Sequence, residues 1–365
     1  MSGSVIGNRF KIMTWGESHG AALGVTIDGC PAGLLLSSED IQKYLDLRRP
    51  GQSKMTTQRS EKDKVEILSG VFEGMTTGTP ISLMIKNEDQ HSKDYSNIAD
   101  KMRPGHADYG FTEKYGFRDY RGGGRSSGRE TIARVAAGAV AIKILEGLGI
   151  SIVSYTSAIG PVKASSFDEE DIMKNPLFMA DLNAAKEAEA FVKNCVEKGD
   201  SVGGIIETKV FGMPPGIGEP VFGKLDASLA QAMLSIGAVK GFEIGDGFKA
   251  AEALGSENND EFMSENGHVI KKTNHSGGVL GGMSDGSDIF FKVAIKPTPS
   301  ISKEQNTVND KGENVSLVIK GRHDPVIVPR AVIVVKSMCA LILLDALMEN
   351  MTSRISYLED FYGKK

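Results

Sequence analysis

The sequence predicts an α+β protein in which helices and antiparallel strands form layers. Apolar residues alternate in short segments and recur at helical spacing in longer ones, and they do so in both halves of the chain. Strands and helices mixed in this way are typical of a layered α+β fold. No linker rich in Pro, Gly and Ser separates the halves. We therefore expect residues 1–365 to form a single domain, although the length alone favours two.

The first half begins with strand-like alternation at residues 23–27, and further alternation predicts strands at 65–67 and 81–85. Ser37 followed by Asp40 is typical of a capping box, so a short helix is expected after the first of these strands. Small and apolar residues at helical spacing predict a long, closely packed helix over 127–148. Glycines at 147 and 149 end this helix, and a strand is expected at 150–159.

The second half repeats this order after a polar segment at about 166–198, which we expect to be solvated and to contain a helix at 184–197. A strand at 203–210 and a helix at 225–234 follow. A strand at 289–295 and a helix at 331–349 come next, with a terminal tail at about 350–365. The last helix is strongly apolar, but Lys336 and Asp345 lie within it, so a buried helix explains it better than a membrane span.

Composition and charge exclude several classes of protein. Hydrophobic residues make up 40% of the chain and charged residues 24%, which is typical of a globular protein and excludes a disordered or fibrous one. The net charge of −5 argues against a dedicated nucleic-acid binder, although a local arginine cluster can still bind a small anion. The three cysteines form no CxxC pair and the N-terminus has no signal-peptide pattern, so we expect reduced thiols in the cytoplasm.

Glycine is the unusual component of the sequence. It accounts for 43 of 365 residues, or about 12%, against an average of about 7%. The glycines cluster at 122–124, 237–247 and 277–286, between segments that are predicted to be ordered. Because glycine lets the backbone approach a ligand closely, these clusters predict a large ligand held by main-chain groups.

Two histidines lie in short loops that contain glycine. Ser18 and His19 are flanked by glycines at 16 and 20, after a predicted strand, and His106 lies in RPGHAD at 103–108. The unperturbed pKa of histidine, about 6.5, suits proton transfer near neutral pH. A purely structural histidine is the alternative in each loop. No HxH, HExxH or paired His/Cys spacing indicates a metal site.

The sharpest local pattern is RGGGRSSGR at 121–129, which continues into the long apolar helix. A glycine loop before a helix N-terminus offers free backbone N–H groups and a partial positive charge. Arg125 and Arg129 add bidentate donors for phosphate or carboxylate, while Ser126 and Ser127 add hydroxyl groups. The segment therefore predicts an anion site. A well-capped helix with surface arginines is the alternative.

Further loops add cations and hydroxyl groups to this inventory. They are the basic run from Arg48 to Lys54, the segment Lys296-Pro297-Thr298-Pro299-Ser300, and the segment from Arg322 to Asp324. Each alone could be a solvated surface or a salt bridge. Together, so many loops of Arg, His, Ser and Gly predict an enzyme that acts on a small molecule with several negative charges.

Six of these segments resemble the chorismate synthase family, and they occur in the order of that family from about residue 5 to residue 348. They are GESHG (16–20), RPGHAD (103–108), RGGGRSSGRETIARVAAGA (121–139), VKGFEIGDGF (239–248), NHSGGVLGG (274–282) and GRHDP (321–325). Six motifs in register are far more specific than a single glycine fingerprint. The resemblance therefore covers nearly the whole chain.

The resemblance implies a fold and an activity. The fold is a four-layer β-α-α-β sandwich with a helical core between antiparallel sheets, built from two similar halves and assembled as a homotetramer. The activity is that of a shikimate-pathway lyase, the 1,4-anti elimination of phosphate from 5-enolpyruvylshikimate 3-phosphate to give chorismate. The reaction requires reduced FMN, which is supplied either by the protein's own NADPH-dependent reduction or by an external flavin reductase. The cofactor carries the difficult step, and the protein supplies orientation and charge.

The resemblance also implies roles for individual residues. His19 is expected to protonate the departing phosphate with Ser18 beside it, His106 to hold or protonate the reduced flavin, and Asp324 to take part in proton transfer through flavin N5. The residues implied to bind the flavin are Arg125, Ser126, Ser127, Gly237, Ala238, Gly281, Lys296, Pro297, Thr298, Pro299, Ser300 and Arg322. Those implied to bind phosphate of the substrate or of NADP are Arg48, Lys54, Arg103 and Arg129.

Three positions depart from the family pattern, and other functions stay open. Many relatives have Arg at Lys54, Asn at Gly237 and Ser at Pro299, which affects details of flavin and phosphate contact. A phosphotransferase is a second enzyme hypothesis, although no GxxxxGK[ST] loop occurs. A non-catalytic nucleic-acid or flavin-binding module is the hypothesis from another class, and it predicts steeply salt-dependent binding of oligonucleotides.

Overall fold

The first half of the chain forms a five-stranded antiparallel sheet. The computed structural model describes residues 3–49, 62–88, 99–319 and 324–363. The strands of this half are β1 (Val5–Ile6), β2 (Lys11–Gly16), β3 (Ala22–Asp28), β4 (Val65–Ser69), the separate hairpin of β5 (Val71–Phe72) and β6 (Met75–Thr76), and β7 (Ile81–Lys86). The strand order in the sheet is β1-β2-β3-β7-β4. Leu23, Val25 and Ile27 pair with Ile85, Leu83 and Ile81, and all six side chains are fully buried. The alternation at 23–27 and 81–85 thus gives the sheet its core face.

The second half forms another five-stranded antiparallel sheet, with the order β11-β16-β10-β8-β9. The strands of this sheet are β8 (Ser151–Ile159), β9 (Val162–Lys163), β10 (Gly204–Phe211), β11 (Val239–Ile244) and β16 (Ile289–Ile295). Three separate hairpins lie between or after them: β12 (Phe262–Glu265) with β13 (His268–Lys271), β14 (Val279–Leu280) with β15 (Met283–Ser284), and β17 (Gln305–Val308) with β18 (Asn314–Leu317). Strand β10 is central, because it pairs with β16 on one side and β8 on the other.

The main helices lie between the two sheets. The helices are α1 (Ser38–Arg48), α2 (Asp108–Tyr115), α3 (Thr131–Gly147), α4 (Glu169–Ile172), α5 (Leu182–Glu197), α6 (Leu225–Leu234), α7 (Gly255–Asn258), α8 (Val328–Asn350) and α9 (Ile355–Tyr362). Helices α1 and α3 pack against the first sheet, α6 and α8 pack against the second, and α3 packs on α8. The layers are therefore sheet, helices, helices, sheet, as expected from the resemblance.

The ends of the core helices follow from the sequence. Ser37 caps α1 and forms the expected capping box with Asp40. Helix α3 begins at Thr131, later than the expected residue 127, because residues 128–130 form a 3-10 turn that Ser127 caps. Helix α8 is long and apolar enough by length and composition to cross a membrane, but most of it is buried inside the protein. It therefore serves as a core helix.

Two segments differ from the sequence prediction. The glycine cluster at 237–247 was expected to be a loop, but it contains β11, whose backbone pairs with β16. The segment 166–198 contains the expected helix, here α5, and its charged residues are mostly exposed. Its apolar residues are nevertheless buried against the main core, including Leu177, Met179 and Ala188. One face of this polar segment thus packs against the protein.

Candidate active site

The first histidine lies in the loop of residues 17–21 that joins β2 to β3. The hydroxyl oxygen of Ser18 lies 3.0 Å from His19 Nδ1. The glycine-rich loop covers the imidazole so closely that a Cβ on Gly122 would lie 2.4 Å from Nδ1. The side-chain amide of Asn87 donates to the carbonyl oxygens of Glu17 and Gly20 at 3.0 and 2.7 Å. Both ends of the loop are thus fixed.

The second histidine is held in the loop that precedes α2. Arg103 forms a bidentate pair with Asp108, with both N–O distances 2.7 Å. His106 Nδ1 lies 3.0 Å from the carbonyl oxygen of Pro104, and Nε2 lies 3.1 Å from Ser300 Oγ. Burial, followed by the charge of Arg103, lowers the pKa of His106 below its ordinary value. A neutral imidazole therefore donates from Nδ1 to Pro104 and accepts at Nε2 from the hydroxyl of Ser300.

The segment Lys296–Ser300 continues from β16 and packs against this loop. The ammonium of Lys296 donates to the carbonyl oxygen of Gly105 at 2.8 Å. The backbone N–H of Lys296 donates to the carbonyl oxygen of Ala238 at 2.9 Å. Gly105 has a φ of +70°, and a Cβ there would lie 2.7 Å from the Cβ of Pro299. The structure thus brings residues 237–238 and 296–300 together with His106.

The glycine-rich loop is attached to β2 by Arg125. The guanidinium donates to the carbonyl oxygen and the hydroxyl of Thr14 and to the carbonyl oxygen of Gly16. Ser126 Oγ donates to the carbonyl oxygen of Gly123 at 2.7 Å. Arg125 and Ser126 therefore shape the loop, and Ser127 caps the turn that leads into α3.

Two predicted arginines converge on a carboxylate that the sequence did not single out. Asp63 is fully buried, and it accepts from Arg48 Nη1 at 3.1 Å and from Arg129 Nη1 at 2.9 Å. Arg129 Nε also donates to Asn87 Oδ1 at 2.6 Å. Because Asn87 also holds the His19 loop, it links Arg129 to that loop. We call Arg48, Asp63 and Arg129 the arginine cluster.

Asp324 is joined to the arginine cluster from the start of α8. Arg330 donates from Nη1 to the carboxylate of Asp324 and from Nε to the carbonyl oxygen of Arg48 at 3.1 Å. The contacts therefore connect His19, the arginine cluster and Asp324 in one network. His106 belongs to a second group, with residues 237–238 and 296–300.

Residues 118–122 border both groups. Arg118 Nη1 lies 3.6 Å from the Asp108 carboxylate of the second group, and Gly122 covers His19 of the first. Gly281 lies elsewhere, in the turn between β14 and β15, where the neighbouring Gly282 packs on Lys224. Lys54 and Arg322 lie outside the described residues.

A cavity of about 1,050 Å³ adjoins the glycine-rich loop. Its walls include residues 122–126, Asp108 and the aromatic rings of Phe111 and Tyr115, but neither candidate histidine. Ligand cavities typically measure about 300–1,000 Å³, so this one has room for a large ligand. Within the described ranges, no group of three or more His, Cys, Asp or Glu residues could hold a metal ion.

No local motif points to Asp63, Asn87 and Arg330, which position the predicted residues. Asp63 lies in the charged run EKDKVE, which is typical of a solvated surface, and Asn87 and Arg330 lie in no motif. Their partners are distant in sequence, since Asn87 and Arg129 are 42 residues apart and Arg48 and Arg330 are 282 apart. Only the fold brings such residues together.

Comparisons with known proteins agree on one family. Residues 10–348 match the family described as chorismate synthase. The chain is 62% identical to the chorismate synthase of Lachnospira eligens, over 100% of both chains, and 56% identical to that of Methanococcoides burtonii, over 96% of this chain and 97% of the other. A solved structure described as a crystal structure of chorismate synthase matches with a TM-score of 0.77 and 32% identity, over 97% of this chain and 96% of the other.

Proposed function

The chain belongs to the chorismate synthase family, and we propose that with reduced FMN bound it eliminates phosphate from 5-enolpyruvylshikimate 3-phosphate to give chorismate. Members of this family are carbon–oxygen lyases that act on a small molecule. The observation that carries the proposal for the site is the network that joins His19 to the buried arginine cluster. A proton donor beside fixed cations is what the departure of a phosphate group requires.

The substrate carries a phosphate and two carboxylates, and the proposed ligands are cations. Asp63 takes one N–H from each of Arg48 and Arg129 and so fixes the planes of both guanidinium groups. Planar guanidinium groups held in this way bind phosphate and carboxylate with defined orientation. Lys54 and Arg103 complete the proposed set, with Lys54 as a point charge where many relatives have an arginine.

His19 is the proposed acid for the phosphate leaving group. As an acid His19 is in its imidazolium form, in which Nδ1–H donates to the hydroxyl oxygen of Ser18 at 3.0 Å. The ring delivers its Nε2 proton to a phosphate oxygen and is left as a neutral imidazole with its proton on Nδ1. Because Gly122 has no Cβ, the glycine-rich loop can lie directly against the ring.

The residues around His106 fit a flavin. Thr298 Oγ1 is buried and has no hydrogen-bond partner among the described residues, and the ammonium of Lys296 and the hydroxyl of Ser300 lie in the same segment. Such donors suit the polar edge or the phosphate of FMN. The proposed flavin ligands also include the glycine-rich loop with Arg125, Ser126 and Ser127, together with Gly237, Ala238, Gly281 and Arg322. When bound, reduced FMN supplies electron density as phosphate leaves and recovers it afterwards, so the reaction is redox-neutral overall.

The other two candidate residues handle protons. His106 is neutral and accepts a hydrogen bond at Nε2, so it can take or hold a proton there. Asp324 is held by Arg330 beside the arginine cluster, and we assign its carboxylate to accept a proton. Removal of either group is expected to slow turnover by about 10²–10⁴.

The proposal also covers the domain organisation, the oligomeric state and compartment of the protein, and the source of its reduced flavin. The protein is a single-domain, cytoplasmic homotetramer, and its flavin is reduced by NADPH bound to the protein or by an external flavin reductase. It does not bind nucleic acid as its function. The alternative of a non-catalytic nucleic-acid or flavin-binding module is not favoured, because the chain is 51–62% identical to enzymes over almost its whole length.

An anaerobic assay tests this function. The full chain, 5-enolpyruvylshikimate 3-phosphate and dithionite-reduced FMN are mixed, and chorismate absorbance and released phosphate are followed. Equal amounts of chorismate and phosphate are expected. Replacing dithionite by NADPH distinguishes a built-in flavin reductase, which gives product, from dependence on an external one. Folded, flavin-binding protein that forms no chorismate under dithionite would contradict the proposed function.

The role of His19 has its own test. His19→Ala is expected to slow turnover by about 10²–10⁴, as is typical of a lost general acid. His268→Ala is the matched control, because His268 is exposed on β13, and it should retain turnover. Turnover of the His19 variant within about twofold of the unmodified protein would remove His19 from the mechanism.

A further inference from the structure

A second cavity, of about 180 Å³, lies at the junction of α1, β8, α4 and α8. Most of its wall is apolar, with Leu47, Ile152, Ile172, Phe178 and Val332 among the lining residues. None of the residues assigned to the active site lines it. The proposed mechanism leaves this cavity without a role.

One cation, Lys336 of α8, lines this apolar cavity. Helical side chains lean toward the N-terminus, so that of Lys336 lies over Val332 and Ile333, which also line the cavity. Within the described part of the chain, its ammonium makes no hydrogen bond and no salt bridge. Lysines of soluble proteins usually extend their ammonium into water, whereas this one is half-buried against apolar walls.

The charged groups around Lys336 define which ligand could pair with it. Burial lowers the pKa of Lys336; the charges of Glu146 and Glu169 oppose this shift, while that of Lys43 adds to it. Tyr44 also lines the cavity, and burial raises its pKa to about 12, so its hydroxyl is neutral. An ammonium in apolar surroundings is stabilised by a carboxylate at hydrogen-bond distance. A second negative charge on the ligand would be repelled by Glu169, which is part of the wall.

The volume of the cavity limits the size of the apolar part of its ligand. An apolar cavity of about 150 Å³ can bind benzene, so 180 Å³ accommodates one six-membered ring with a short substituent. Phe178 offers an aromatic face and Val332 an aliphatic one.

We propose that this cavity is a binding site for a small monocarboxylate with a single apolar ring, whose carboxylate pairs with Lys336 Nζ. The proposal goes beyond the lyase activity and does not rest on it, because the lining residues and those of the proposed mechanism are different. It concerns the full chain in the absence of substrate and flavin.

Calorimetric titration of the full chain with phenylacetate tests the proposal, in a buffer free of phosphate and other carboxylates. Lys336→Met keeps the length of the side chain and removes its charge, so it should weaken phenylacetate binding about tenfold or more. Binding of the neutral benzyl alcohol should be unchanged or tighter. Lys43→Met is the matched control, because Lys43 is a nearby cation outside the lining, and it should change binding by less than about threefold.

Ile333→Phe gives a second, independent variant. It fills the cavity and should abolish binding of both ligands. The thermal midpoint of each variant shows that it is folded, and that of Lys336→Met should be equal or higher because the unfavourable burial of the ammonium is removed. The proposal is overturned if phenylacetate does not bind at millimolar concentration, if it binds Lys336→Met equally well, or if inorganic phosphate displaces it, which would place it at the arginine cluster.

Discussion

Asp63 is the residue on which the arrangement of the arginine cluster depends. Its buried carboxylate is shared by Arg48 and Arg129, so Asp63→Asn removes the negative charge that lies between the two guanidinium groups. Removing one partner of a buried ion pair typically costs about 3–5 kcal/mol, and we expect a loss of this order in the free energy of unfolding. Because the arginines lose their fixed orientation, KM for the phosphorylated substrate should rise more than kcat falls. Urea denaturation and steady-state kinetics measure the two effects.

Asp46→Asn is the control for this prediction. Asp46 on α1 forms a salt bridge with Arg49, the residue after that helix, and both side chains are nearly half exposed. Exposed pairs contribute little, so stability should change by less than about 0.5 kcal/mol. If Asp63→Asn were as mild as Asp46→Asn, the ion cluster would not hold the arginines in place.

The pKa of His106 gives a pH prediction. Burial, then the charge of Arg103, lowers this pKa in the folded protein, so the unfolded chain binds the proton more readily. The contribution of the neutral ring is therefore complete above about pH 6.5 and is lost as the pH falls from there toward the folded pKa. His106→Gln should flatten the pH dependence of the urea midpoint below pH 6.5, whereas His268→Gln should leave it unchanged. A profile identical in both variants would mean that His106 is not the titrating group.

At the scale of residues, local sequence predicted loops better than contacts. Glycine and proline around His19 and His106 indicated tight loops, and the structure has loops there. The hydrogen bond between His106 and Ser300 joins residues 194 positions apart, and no local pattern contains that information. The same holds for Asp63, whose partners come from α1 and from the turn before α3. Roles for the site residues stay predictions that the variants above test.

At the scale of elements, two glycines of α3 should behave in opposite ways. A Cβ on Gly138 would lie 2.3 Å from the Cβ of Ser337, so this glycine lets α3 and α8 approach closely. Gly138→Ala should therefore destabilise the protein by about 1–3 kcal/mol through overpacking, despite the better helix propensity of alanine. Gly147, in the same helix, has open space at its Cβ position, so Gly147→Ala should be neutral or stabilising by up to about 1 kcal/mol.

Chemical denaturation of both glycine variants gives the comparison directly. The difference in sign is what matters, because both substitutions change the same residue type in one helix. Equal stabilisation of the two variants would show that α3 and α8 are not packed as closely as the structure has them.

Elements with strong periodicity were predicted well, and elements held by distant partners were not. The helix at 225–234 and the strand at 289–295 have the predicted ends, since their apolar spacing determines which face is buried. Strand β11 was missed because the glycine cluster at 237–247 suggested a loop, whereas pairing with β16 keeps the strand extended. The hairpins β12–β13 and β17–β18 were missed as well. β12 is exposed throughout, and β13 and β17 are at most half-buried. β18 alternates, with Leu317 buried, but over only four residues.

At the scale of the whole molecule, periodicity predicted the α+β class but not the order of the layers. Apolar spacing shows that α3 and α8 are buried, yet it does not show that they pack on each other between two sheets. That arrangement was expected from the resemblance to a known family, and the contacts of the two helices confirm it.

The two ends of the chain are joined by Asp345, near the end of α8. Its carboxylate accepts from the backbone N–H groups of Asn8, Arg9 and Phe10, at distances of 2.6–3.0 Å, across more than 330 residues of sequence. Asp345 is buried, and Phe10 packs in the core beside it. This clasp ties the connection between β1 and β2 to a helix that packs on the second sheet.

Asp345→Ala should therefore cost far more than an ordinary surface substitution. Leaving buried N–H groups without acceptors costs about 1–3 kcal/mol, and we expect the free energy of unfolding to fall by about 3 kcal/mol. Hydrogen exchange at residues 8–10 should accelerate in the folded protein, because the three amides lose their partner. Glu349→Ala, one turn later on α8, removes only an exposed hydrogen bond to the side chain of Asn8 and should stay within about 0.5 kcal/mol. If exchange at residues 8–10 accelerated without a loss of global stability, the clasp would fasten only a local loop, and the two ends of the chain would not support each other's folding.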